Sequence, residues 1–174
     1  MYQELQPLFD ETSIQGKVKE LADRISRDYA GTEIVIICVL KAAALFSADL
    51  ARLLGIPSRI VFVSASSYGN SAVSTGEVVI KNDIEVDISG KHVLIVDTIA
   101  DSGRTLAVLA DHYGKRGPKT LKTAVLLNKQ ARRTVDVRLD YVGFEVPDLF
   151  IVGYGLDYAE TYRNLPYLAV IKTG

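Results

Sequence analysis

The chain has 174 residues, 48% of them hydrophobic, which suits one well-buried domain and is short for two. Its formal net charge of −1 excludes a global basic field for nucleic acid. Residues 1–10 lack the basic start and long apolar core of a secretion signal, and no apolar run reaches the ~18–20 residues of a membrane span, so a soluble, cytoplasmic protein with one domain over residues 1–174 is expected.

Ile14, Val18, Leu21, Ala22 and Ile25 recur at helical spacing, predicting a helix over 13–29 with Ser13 as its N-cap. An unbroken apolar run at 34–40, after the Gly31-Thr32 turn, reads as a central strand and holds the lone Cys38 as a buried core thiol. A helix over 42–54 is stopped by Gly55 and Pro57, and 59–64 is a second strand. From 66 to 76 the composition turns to Ser, Gly, Asn and Thr, which predicts a mobile loop. Residues 77–88 suggest a hairpin-like excursion around Asn82-Asp83. A buried strand at 93–96 leads into a helix carrying Leu106, Val108, Leu109 and Tyr113, ended by Gly117-Pro118. Strands follow at 120–127, 141–144, 149–152 and 167–171. Strands alternating with helices imply an α/β domain with a mainly parallel sheet, whose ligands sit at the carboxyl ends of the strands.

The stretch 93–105, Val-Leu-Ile-Val-Asp-Thr-Ile-Ala-Asp-Ser-Gly-Arg-Thr, is the most informative. An apolar strand ends in carboxylates, and a small-residue loop opens a helix. Such a loop can aim free backbone N–H groups at a phosphate, aided by the positive end of the helix dipole. Gly103 permits close approach, and the Ser102 and Thr105 hydroxyls add donors. Neither G-x-x-x-x-G-K-[ST] nor G-x-G-x-x-G after a strand occurs, which argues against a P-loop NTPase and a dinucleotide-binding unit. The bland alternative is an ordinary strand-to-helix turn with Asp101 or Ser102 as N-cap.

Other candidates lie at strand ends or on late turns. Lys41 can meet a pyrophosphate, and Ser66-Ser67-Tyr68-Gly69 can open a lid that excludes water. Lys129 can donate to a carbonyl oxygen of a base, while Arg132 and Arg133 suit an anion or a subunit surface. Phe150 can stack on a planar ligand, Asp157 can hold Mg²⁺ or an amino edge, and Arg163 can reach a phosphate. Each of these, taken singly, also fits a solvated or core position. His92 and His112 match no metal-ligand spacing.

The loop resembles the phosphoribosyl-pyrophosphate signature of type I phosphoribosyltransferases. Leu40-Lys41, 65–69, 93–105, 127–133, 142–148 and 150–163, in that order, resemble the bacterial hypoxanthine-guanine phosphoribosyltransferase family over nearly the whole chain. Val152-Gly153-Tyr154-Gly155-Leu156-Asp157-Tyr158 points to its purine branch. The resemblance implies the type I fold: a mainly parallel central sheet flanked by helices, with a small hood. It also implies purine salvage, in which a phosphoribosyl group passes from phosphoribosyl pyrophosphate to hypoxanthine, guanine or xanthine. By that resemblance Asp101 is the general base near purine N7, and Ser102, Gly103, Arg104 and Thr105 cradle the 5′-phosphate. Lys129 meets the 6-oxygen, Phe150 stacks on the base, and the Ile151 backbone reads its edge. Asp97 and Thr98 face the ribose, Asp97 and Asp157 serve Mg²⁺, and Lys41 and Arg163 bind pyrophosphate. Ser67, Tyr68 and Gly69 belong to the closing loop. A homodimer or homotetramer is implied, with no nucleic-acid or membrane partner.

Two positions depart from the family. Asp97-Thr98 stands where adjacent Glu-Asp is usual, which is expected to alter substrate or Mg²⁺ affinity or the preferred base. Ala42 stands where Gly is typical, and its Cβ bears on the unusual peptide geometry of that loop. The departures keep open a non-catalytic sensor of a nucleotide or phosphoribosyl pyrophosphate, an RNA-binding regulator of the pyrimidine-operon kind, and a plain interaction domain. Retention of Asp101, Lys129, Asp157 and Arg163 favours the enzyme.

Overall fold

Strands β2 (Ile34–Leu40) and β5 (His92–Ala100) lie side by side at the centre of a six-stranded sheet. Both are near-continuous apolar runs because helices cover both faces of the sheet, as a buried parallel sheet requires. The computed structural model describes residues 4–67 and 78–172. The sheet order is β4-β3-β2-β5-β6-β7, with β3 (Ser58–Ser67), β4 (Val78–Asn82), β6 (Thr120–Asn128) and β7 (Tyr141–Glu145). Within it β4 alone runs antiparallel to its neighbour.

Helices α1 (Glu11–Asp28) and α2 (Ala44–Leu53) pack on one face, where Ile14, Val18 and Leu21 meet Ile36, Phe46 and Leu94. Helix α3 (Arg104–Gly114) covers the other, where Leu106, Leu109 and Tyr113 meet Ile37, Val93 and Ile95. The small hood is a separate three-stranded antiparallel sheet, β1-β9-β8, made of Leu5–Phe9, Leu168–Ile171 and Ile151–Val152.

Several local expectations are corrected. The N-cap of α1 is Asp10, whose side chain accepts the Ser13 N–H at 2.7 Å, so Ser13 lies inside the first turn. Helix α2 begins at Ala44, since 41–43 form a turn after β2. The hairpin-like excursion expected over 77–88 does not fold about Asn82-Asp83. Instead β4 ends there and pairs back on β3. The strand expected at 149–152 narrows to Ile151–Val152. Strand β1 had no sequence signal: Pro7 interrupts it, and its partner β9 lies at the far end of the chain.

Candidate active site

Strand β5 continues past its apolar run, so Asp97 and Thr98 lie within it rather than after it. Successive side chains leave a strand on opposite faces, and these two part company. Asp97 lines a hollow of about 80 Å³ with Ile99, Asp101, Ser102, Gly103 and Thr105. Burial pushes its carboxyl up to about 7, against the lowering effect of the Thr98 and Ile99 backbone N–H groups. Thr98 is completely buried, and its Oγ1 has no hydrogen-bond partner among the described residues. The structure therefore does not bring the Thr98 side chain to the wall of the hollow.

The loop below owes its shape to Gly103, at φ +85°. A Cβ there would lie 2.8 Å from both Arg133 Cδ and the Val135 carbonyl oxygen. Only glycine lets this turn rest on the 133–137 segment, and Thr134 N–H and Val135 N–H donate to the Ser102 carbonyl at 3.0 and 3.2 Å. Gly103 also occupies the N-cap of α3 without a capping side chain, which corrects the expectation of Asp101 or Ser102 there. The N-cap residue itself brings no side-chain oxygen to the helix start, which suits an anion. The Arg104 N–H bonds Ser102 Oγ at 3.3 Å, and Thr105 lines the hollow from the first helical turn.

A larger cleft of about 460 Å³ shares Ile99 and Asp101 with that hollow and is walled further by Lys129, Arg132, Asp148, Phe150, Ile151 and Asp157. The Lys129 side chain is only 8% exposed, with Nζ 3.6 Å from Asp101 Oδ2 and 3.9 Å from Asp148 Oδ1. Arg132 mirrors it, with Nε 3.6 Å from Asp101 Oδ1 and Nη1 3.7 Å from Asp148 Oδ2. Phe150 is half exposed and meets the Tyr158 ring edge-on at 5.6 Å, leaving a flat aromatic surface at the cleft. Ile151 is buried as the first residue of β8.

Arg133, which the sequence left between anion site and subunit surface, turns inward. Its guanidinium donates to Asn128 Oδ1 at 2.5 Å and to the Asp101 carbonyl at 3.2 Å, and Asn128 Nδ2 donates to Glu145 at 3.0 Å. It braces the backbone on which Asp101 is carried.

Lys41, Asp157 and Arg163 come together at another edge. Gly155, at φ +96°, packs so closely on the turn after β2 that an added Cβ would run into the Ala42 carbonyl oxygen. This packing brings the 153–157 segment to the Lys41 turn. The Leu40–Lys41 peptide is cis with Ala42 in place. Arg163 is anchored by its bond to the Gly155 carbonyl at 2.7 Å and its ion pair with Asp157 at 3.0 Å. Asp157 also accepts the Glu160 N–H at 2.9 Å. Glu160 pairs with Lys41 at 3.0 Å and with Arg163 at 3.4 Å.

Sequence reasoning missed Asp148 and Glu160, for a carboxylate on a late turn carries no local signal of what faces it. Ser67 ends β3, while Tyr68 and Gly69 lie outside the described residues.

The chain is similar to known phosphoribosyltransferases. The phosphoribosyl transferase domain model matches residues 8–159. A hypoxanthine-guanine phosphoribosyltransferase of Bacillus subtilis is 47% identical over 95% of this chain and 92% of its own. A hypoxanthine phosphoribosyltransferase of Salmonella typhimurium is 43% identical over 94% and 93%. Among solved structures, a hypoxanthine-guanine phosphoribosyltransferase of Bacillus anthracis, with a HEPES molecule in its active site, superposes with TM-score 0.92 at 50% identity, covering 98% of this chain and 100% of that one. A glycine turn between a strand end and a helix start, a cleft sharing its aspartate, and these matches lead to one conclusion: the chain belongs to the phosphoribosyl transferase domain family.

Proposed function

We propose that the protein is a purine salvage enzyme, transferring the 5-phosphoribosyl group of phosphoribosyl pyrophosphate to a 6-oxopurine, with residues 1–174 as one catalytic domain. The observation that carries the reading is that Asp101 belongs to both hollows. A carboxylate shared by a phosphate-sized site and a base-sized cleft sits where the two substrates would be joined.

In this reading the 5′-phosphate occupies the Ser102–Thr105 loop against the start of α3. The base lies on Phe150 with its edge at the Ile151 backbone, and Lys129 donates to the 6-oxygen. A bond forms from a purine nitrogen to ribose C1 as the bond from C1 to pyrophosphate breaks. Asp101 takes the proton that the base gives up. Lys41 and Arg163 stabilise the negative charge gathering on pyrophosphate. Asp97 is available to the ribose hydroxyls.

Mg²⁺ suits these residues. It is commonly held by one or two carboxylates plus substrate phosphates rather than by a protein cage. No cluster of three or more His, Cys, Asp or Glu able to cage an ion occurs among the described residues, whereas Asp97 and Asp157 supply single carboxylates at the two edges of the site. Bound there with substrate, the ion would neutralise charge on the leaving pyrophosphate.

The relatives named above are transferases, and nothing observed favours a non-catalytic sensor. No described helix is long and apolar enough to cross a membrane. A cytoplasmic homodimer or homotetramer completes the reading. The test is to incubate the protein with phosphoribosyl pyrophosphate, Mg²⁺ and, separately, hypoxanthine, guanine, xanthine, adenine and uracil. The monophosphate of a 6-oxopurine is expected, and no product from any base would overturn the reading. Asp101→Asn is expected to lower kcat by about 10²-fold or more.

A further inference from the structure

We propose that Asp148 is a positioning residue for the base cleft, holding the Lys129 ammonium off Asp101 and ready for the incoming base. The proposal rests on the function proposed above and adds a residue to it.

Lys129 and Arg132 each stand between the same two carboxylates, Asp101 and Asp148, in a ring of alternating charge. The four separations run from 3.6 to 3.9 Å, beyond hydrogen-bond range. Among the described residues the Lys129 ammonium makes no hydrogen bond, although its side chain is 8% exposed. An ammonium at the end of a nearly buried side chain, open only to the cleft, has its donors free for a ligand there. Here two carboxylates draw on it from two directions, and neither captures it.

Asp148 is the carboxylate of the ring that the proposed reaction does not otherwise use. Without its charge, Lys129 has one carboxylate left, Asp101, and nothing draws the ammonium the other way. The ammonium would then close onto Asp101 as a direct hydrogen-bonded pair. That pair would occupy the donor meant for the 6-oxygen and the oxygen meant for the base's proton. With Asp148 present, Lys129 can turn to a base while Arg132 still faces both carboxylates. Asp148 is placed for this by the turn 146–149: the Val146 N–H bonds the Asn128 carbonyl at 3.0 Å, tying that turn to the end of β6 beside Lys129.

The experiment compares Asp148→Asn, Asp148→Glu, Lys129→Met and the Asp148→Asn/Lys129→Met double variant. Steady-state kinetics are measured for each substrate separately. Asp148→Asn is expected to raise KM for the base about tenfold, the scale of one lost hydrogen bond to a charged group, and to leave KM for phosphoribosyl pyrophosphate within about twofold. Asp148→Glu restores most of the loss. In the Lys129→Met background, Asp148→Asn adds nothing further, because the ammonium it positions is gone. A purely structural role would persist in that background and would raise both KM values. An active wild-type protein whose base KM is unmoved by Asp148→Asn, or a loss that is undiminished in the Lys129→Met background, overturns this proposal alone. A wild-type protein inactive with every base overturns it together with the proposed function.

Discussion

The Lys41 ammonium and the Glu160 carboxylate meet at 3.0 Å across 119 residues of sequence. Arg163 approaches the other oxygen of the same carboxylate at 3.4 Å. Glu160 thus bridges the two cations assigned above to pyrophosphate, and the Lys41 hydrogen bond is the chief cause that holds its carboxyl below the usual range. In the proposed function an incoming pyrophosphate would displace this internal anion. Both side chains are mostly exposed, so the pair adds little to stability. Glu160→Gln is expected to lower KM for phosphoribosyl pyrophosphate about threefold, to strengthen product inhibition by pyrophosphate, and to leave Tm unchanged. Initial-rate kinetics with added pyrophosphate check this, and a raised KM would instead make Glu160 a support for Lys41.

Gly155 sets how closely the segment carrying Asp157 approaches the Lys41 turn. At φ +96° a side chain is strained, and its Cβ would strike the Ala42 carbonyl oxygen. Gly155→Ala is expected to destabilise the fold by about 3 kcal/mol and to raise KM for phosphoribosyl pyrophosphate more than KM for the base. Urea unfolding and the two KM values measure the two effects. A stable variant with normal kinetics would show that the turn yields without consequence.

Thr98 is fully buried, and its hydroxyl has no partner among the described residues. Replacing it by an apolar residue of the same shape removes a polar group that gains nothing. Thr98→Val is therefore expected to leave stability within about 0.5 kcal/mol or to raise it. Thr98→Asp, which restores the paired acids of the family, puts a carboxylate into a closed site and is expected to cost about 3 kcal/mol or more. Thermal denaturation of both variants decides, and equal destabilisation by the two would mean that the hydroxyl is partnered.

Asp83, after β4, faces His112 Nε2 at 2.6 Å, the Tyr113 hydroxyl at 2.9 Å, the Ile84 N–H at 2.7 Å and Arg116 at 3.6 Å. Burial alone would raise its carboxyl, but the hydrogen bonds from His112, Tyr113 and Ile84 outweigh it and hold the group below 3.8. A depressed carboxylate stabilises the fold fully above its unfolded value and loses that contribution as pH falls through its folded value. Unfolding free energy is expected to drop between about pH 5 and pH 2 more steeply in the wild type than in Asp83→Asn. Parallel pH curves for the two proteins would remove Asp83 as a cause.

Much of the candidate site's local structure was legible because its information is local. The run 93–96 is apolar on both faces, and the Asp101–Thr105 loop follows directly, so strand, turn and helix start can be read from neighbouring residues. Helix α1 declared itself through Ile14, Val18, Leu21, Ala22 and Ile25, all of which are buried. What failed locally failed for a local reason: Asp10 competed with Ser13 for the cap three residues away, and Gly103 took a cap that Asp101 and Ser102 were equally placed to fill.

Other relationships required the tertiary structure. Asp97 and Thr98 are adjacent in sequence, yet the pleat sends one to the smaller hollow and encloses the other. Arg133 turns inward because the Gly103 turn rests on its segment. Strand β1 exists because β9 offers it an edge. The pairing of Lys41 with Glu160, and of Lys129 with Asp148, depends on which strands stand side by side. By itself the sequence determined the strand, the loop and the helix start around 93–105 and the parallel α/β pattern, since backbone preference and side-chain periodicity act over a few residues, while the residues of a purine-ribosylating site were implied by its resemblance to a family. Only the folded chain decided which carboxylate faces which cation, because an ion pair depends on distance in space, and sheet order sets that distance.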